Sequence, residues 1–68
     1  MGDLPEHERK QLLSIARRDN LLTPRQLEIC EWWAAGAGIK RTAYVLGLHP
    51  STIRSHRAEA WRKLAAHV

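Results

Sequence analysis

Arg54, Ser51 and Ser55 are the residues of this sequence best suited to recognising another molecule. They share one stretch, which Pro50 opens as a residue that tolerates the first turn of a helix. An arginine fork one turn into such a helix can take guanine O6 and N7 bidentately, and the serines beside it can reach base edges weakly. Thr52, at the same helix start, suits a phosphate or a cap. Lys40, Arg41, Arg57, Arg62 and Lys63 are expected backbone contacts, weak singly, that together supply a salt-dependent affinity. Thr23 and Arg25 open an earlier helix, whose N–H groups can hold a phosphate. The Tyr44 hydroxyl is a further phosphate candidate, with simple packing as its plainer role. His56 suits either a contact or a half-buried packing position.

Covalent chemistry has no comparable set. There is no Ser/His/Asp grouping, no paired carboxylates and no phosphate loop. His7, His49, His56 and His67 lack the spacing of metal ligands, and nothing near Cys30 would activate a thiolate. The reading is a protein without catalytic residues, metal or cofactor. Trp32, Trp33 and Trp61 read as core or interface residues.

The elements that must position Arg54 follow from spacing. Ala43, Gly47 and Ile53 lie four and six apart, as a helix-turn-helix needs: a small residue where two helices cross, a positive φ at the reversal, and an apolar plug returning the second helix to the first. Ile39 to Leu46 is the support helix. Gly47-Leu48-His49 is the turn, with His49 a weak N-cap, and the recognition helix runs from Pro50 to about Ala66. Ile53, Ala60, Trp61 and Leu64 form its core face. Upstream, Thr23-Pro24-Arg25-Gln26 predicts an N-cap, a proline at the first helical position and a capping box. That helix runs to about Ala35 and buries Leu27, Ile29, Cys30, Trp33 and Ala34. Adjacent tryptophans on a helix diverge by about 100°. Trp33 is therefore expected in the helix-turn-helix core and Trp32 against the N-terminal helix or a second protomer.

Residues 1–20 read as one helix, capped by Asp3 or Leu4, with Leu12, Leu13, Ile15 and Ala16 as its apolar stripe and Asp19-Asn20 as its end. The stripe must be buried on its own domain or on a second chain. Leu12, Ile15 and Trp32 are the candidates for a dimer or partner interface. The fold class is all-α: a small four-helix domain, with a packing or dimerising helix over 1–20 and the helix-turn-helix domain over 21–68.

Sixty-eight residues make one domain with a modest core; 44% hydrophobic composition is globular, and the net charge is +4. Lys40, Arg41, Arg54, Arg57, Arg62 and Lys63 face only Glu59 in the last thirty residues, whereas acids balance or outnumber bases before them. Charge segregated in this way is the footprint of a polyanion binder. There is no span for a membrane and no visible signal peptide, and the lone cysteine forms no internal disulfide. The expected place is the cytoplasm of a bacterial or phage-infected cell, on the nucleoid.

Leu22-Thr23-Pro24-Arg25 with Glu28-Ile29, Gly36, Lys40-x-x-Ala43-x-x-Leu46-Gly47, Thr52-Ile53-Arg54-Ser55-His56 and Arg62-Lys63-Leu64 together resemble the LuxR-type (GerE-type) helix-turn-helix of bacterial transcription regulators. The Thr52-to-Ser55 segment is also similar to region four of bacterial sigma factors. Thr42 stands where the LuxR type has an isoleucine, an expected weakening of the core, and Gly38 stands where that family has a capping Ser or Thr. The family's dimer-forming helix lies beyond this sequence, so the helix over 1–20 is its expected substitute. The resemblance implies a DNA-binding transcription regulator that reads double-stranded DNA with helix 50–66, as a stand-alone protein and a homodimer. The alternative is a small adaptor or inhibitor, such as a phage would encode, that docks on RNA polymerase or another protein.

Overall fold

The computed structural model describes residues 4–67, which form four helices: α1 (Glu6–Arg18), α2 (Pro24–Ala34), α3 (Ile39–Leu46) and α4 (Pro50–His67). The all-α expectation holds for this span, and α3 has the expected limits. α1 is shorter than the expected 1–20. Pro5 is its N-cap, with no side-chain cap bond; its carbonyl takes the amides of Glu8 and Arg9 at 3.0 Å. Leu4 is thus not the cap, and Asp3 lies outside the described residues. At the other end Asn20 adopts φ 51° and stops α1, a left-handed conformation that asparagine tolerates.

The start of α2 is the expected capping box. Thr23 Oγ1 accepts the Gln26 amide, and Gln26 Oε1 accepts the Thr23 amide, both at 3.2 Å. Two backbone donors at a helix start, which have no intrahelical partner, are satisfied by one pair of side chains. The Gln26 side chain then reaches further than a cap requires. Its Nε2 donates to Glu59 at 3.1 Å and its Oε1 accepts from Lys63 Nζ at 2.8 Å. A glutamine only 3% exposed is satisfied throughout and pins α2 to the middle of α4.

Two apolar clusters share α2 and α4. Ala16, Leu22, Cys30, Ala60 and Leu64 form one, flanked by Leu13, Leu21, Leu27 and Trp61. Ile29, Ala43 and Ile53 form the other, flanked by Ile39, Leu46 and Leu48. Adjacent residues Ile29 and Cys30 feed different clusters because they diverge by about 100° around α2. The second cluster is the expected helix-turn-helix core: Ile53 is fully buried and Ala43 is 3% exposed. Gly47 closes α3 at φ 67°, ψ 32°, the left-handed cap that glycine takes at least cost.

Three expectations change at this level. Thr42 does not weaken the core: it is fully buried, and its hydroxyl donates to Gly38 O at 2.8 Å, so its polar atom is satisfied within α3. Trp33 is buried, but its aromatic partner is Trp61 in the C-terminal half of α4, with ring centroids 4.5 Å apart and planes tilted by 59°. It reaches past the Ile29–Ala43–Ile53 cluster because it sits one turn further along α2. Trp32 is half-buried beside a groove lined by residues 35–38 and Arg41. The expected α1 stripe also divides. Leu13 and Ala16 enter the core, whereas Leu12 and Ile15 line an open apolar groove with Leu4, Glu8 and Gln11.

Candidate nucleic-acid interface

α4 displays its outer side because its inner side is fully used. With residues advancing by about 100°, Ile53, Ala60 and Leu64 define the buried side. Ser51, Ser55, Ala58 and Arg62 lie opposite, with Arg54 on the flank, and all five are exposed. In the N-terminal half of this outer face one long charged side chain, Arg54, stands among short ones, and Arg62 is its counterpart further along. Ser51 is the most constrained member. Its amide donates to His49 Nδ1 at 3.1 Å, and its hydroxyl lies 2.8 Å from the same nitrogen. His49 therefore caps α4 with its ring. Thr52 is half-buried at the same helix start.

The cations divide into two sets. Lys40, Arg41, Arg54 and Arg62 are exposed and make no ion pair or side-chain hydrogen bond among the described residues. Lys40 and Arg41 stand in the first turn of α3, whose N-cap, Gly38, has no side chain to offer. Positive charge at a positive helix end is unfavourable by itself and favours an anion there. Tyr44, one turn on from Lys40, is 88% exposed.

The other set is engaged internally. Arg25 pairs with Glu28 at 2.9 Å. Lys63 is held by Gln26. Arg57, expected to face a polyanion, is turned inward: its Nη2 donates to Ala37 O at 3.1 Å. Burial lowers its basicity, with Cys30 acting in the opposite sense. The reason is rotational, since Arg57 lies only about 40° from Ile53 around the helix. Thr23 Oγ1 is committed to the α2 cap. His56 is half-buried, and its Nδ1 and Arg57 Nε meet no hydrogen-bond partner among the described residues. Cys30 is 2% exposed, and burial pushes its thiol up to about 11, so it is an unreactive core residue as expected.

Sequence reasoning missed Gln26 as an interhelical tie and Arg9 as a tertiary contact. Arg9 Nη1 donates to Leu4 O at 2.6 Å, and its Nε reaches Ala34 O at 3.5 Å. Gln26 carried a local signal, the capping box. Its bonds to Glu59 and Lys63, more than thirty residues away, carried none.

This geometry is a helix-turn-helix with an uncovered recognition face. The family described as bacterial regulatory proteins, luxR family, matches residues 20–68, from the α1–α2 corner to the end of the chain. The chain belongs to the LuxR family. One LuxR-type relative is the HTH-type quorum sensing-dependent transcriptional regulator RpaR of Rhodopseudomonas palustris. It is 39% identical over 62 residues, covering 88% of this chain and 26% of that protein. The chain thus spans about a quarter of the relative's length. No solved structure gives a significant match. The helix-turn-helix, Leu22 to Leu64, lies within the matched region. No helix among the described residues is long and apolar enough to cross a membrane.

Proposed function

We propose that α4 enters the major groove of duplex DNA and reads it chiefly through Arg54, within a transcription regulator. The observation that carries this is the exposed stripe Ser51–Arg54–Ser55 beside cations that have no acidic partner. Arg54 is assigned to a guanine, and Ser51 and Ser55 to the adjoining base edges. Lys40, Arg41, Arg62, Thr52 and the Tyr44 hydroxyl are assigned to phosphates, and so are the α2 N-terminal amides beside Thr23 and Arg25. Arg57 and Lys63 are reassigned: each already has an internal acceptor, so they shape the interface from behind.

Half-site pairing by a homodimer fits the open groove that Leu12 and Ile15 of α1 line with Leu4. That groove also supports the second reading, docking on RNA polymerase or another protein. The experiment is enrichment from a random duplex pool at two salt concentrations, with light scattering for mass. A sequence-reading binder enriches a motif and loses affinity steeply with salt, by about 0.9 log unit per log unit of salt for each phosphate contacted. A palindromic motif with a dimer mass supports the homodimer. Failure to retain any duplex at low salt defeats the DNA reading and leaves the docking reading.

A further inference from the structure

A cleft of about 460 Å³ opens on the side of the molecule where α1, the α2–α3 loop and α4 meet. Among the described residues, Leu4, Pro5, Arg9, Trp33, Gly36, Ala37 and Arg57 line it, and none of these is acidic. The geometry points to this cleft as a binding site for a small oxyanion, a phosphate group above all, held between the Arg9 and Arg57 guanidinium groups.

The two arginines are unlike the three that are ion-paired. Arg17, Arg18 and Arg25 each sit on a carboxylate, Glu31, Asp19 and Glu28 in turn. Arg9 and Arg57 instead rest on main-chain oxygens, Leu4 O, Ala34 O and Ala37 O. Those bonds hold the guanidinium groups in place without neutralising them. Among the described residues, Arg9 Nη2 and Arg57 Nη1 make no hydrogen bond. A guanidinium fork matches the spacing of oxyanion oxygens, and such charge-assisted pairs are the stronger class of hydrogen bond.

Gly36 keeps the floor of the cleft low. It adopts φ +92°, and a Cβ there would meet Arg9 Nη2 at 3.7 Å. Trp33 forms a wall and packs at a tilt against Trp61, so a charge arriving beside it alters an environment that can be observed. Arg57 lies one turn after Arg54, and an anion in the cleft would therefore tie the recognition helix to α1. The site belongs to the inner flank of α4 and is separate from the outward stripe assigned to bases.

Titration with inorganic phosphate at constant ionic strength, followed by amide and arginine Nε–H NMR signals, tests it. Saturable shifts confined to Arg9, Gly36, Ala37 and Arg57 are expected. Arg9→Gln should weaken them roughly tenfold or more, as loss of a charge-assisted bond requires, and Arg9→Lys less. Lys10→Gln, which removes a lysine paired with Glu6 on α1, should leave them unchanged. Arg9 lies outside the core clusters, and the amide spectrum of Arg9→Gln reports whether the fold is kept. Non-saturating shifts, or equal responses from the wild type and Arg9→Gln, overturn the proposal. Repeating the titration with saturating duplex separates the sources. Loss of the phosphate response assigns the site to a backbone phosphate of DNA, and persistence assigns it to a free anion. Arg54→Ala leaves the phosphate response intact, so failure of the base-reading role is distinguishable from failure of this site.

Discussion

At the scale of single residues, Arg54 and Gln26 show two ways in which polar groups serve this fold. Arg54 contributes nothing to the core and is free to contact a partner. Arg54→Ala should weaken binding to a selected duplex by about 1–3 kcal/mol, or roughly 5–150-fold. Fluorescence anisotropy measures this, and the thermal midpoint should stay put. Arg62→Ala, at a residue proposed to contact a phosphate, should weaken all duplexes alike and reduce the salt slope by about one. Gln26 does the reverse. It joins the α2 cap to Glu59 and Lys63 and contacts no expected partner. Gln26→Leu should cost about 1–3 kcal/mol in urea denaturation, because a capping bond is lost and Lys63 is left without its acceptor. Thr23→Ala, which removes the cap alone, should cost about 1 kcal/mol.

At the scale of elements, α4 is held in two places. Ile53 seats its N-terminal half on Ala43 and Ile29, and Ala60 and Leu64 seat the rest on α1 and α2. Ile53→Ala opens a cavity at a fully buried site and should cost about 2–5 kcal/mol. A core of this size rarely supplies more than about 3–5 kcal/mol. The variant should therefore be largely unfolded by circular dichroism at room temperature. The capping box, the glycine turn and the small crossing residue were legible in the sequence because each is a local requirement of backbone geometry. The partition of the tryptophans and of the α1 stripe was not. Helical spacing says which residues share a face, but not which neighbour that face meets.

At the scale of the whole molecule, the last turn of α4 returns to the α1–α2 corner. Asp19, at the α1–α2 corner, takes Arg18 Nε at 3.0 Å and His67 Nε2, from the last turn of α4, at 2.7 Å. Hydrogen bonding to Arg18 and then to His67 lowers the Asp19 carboxyl to about 2. A carboxyl with a depressed folded pKa stabilises the fold above its unfolded value, near 4, and loses that contribution as pH falls through the folded one. Asp19→Asn should therefore lower the thermal midpoint slightly at pH 5, and the difference from wild type should vanish by about pH 2. The effect is small because the group is exposed to solvent.

The sequence by itself determined the four helices, the turn between α3 and α4, the segregation of charge towards residues 39–68 and the face of α4 that carries Arg54. All of these follow from neighbours within a few turns of one another. Tertiary structure alone decided which cations remain available. Lys63 was drawn to Gln26 and Arg57 to Ala37 O, whereas Lys40, Arg41 and Arg62 were left in solvent. Sequence gives every arginine the same formal charge. Whether that charge faces outward depends on a rotation of about 40° around a helix and on an acceptor twenty or more residues away. Packing fixes both, and both are absent from any local pattern.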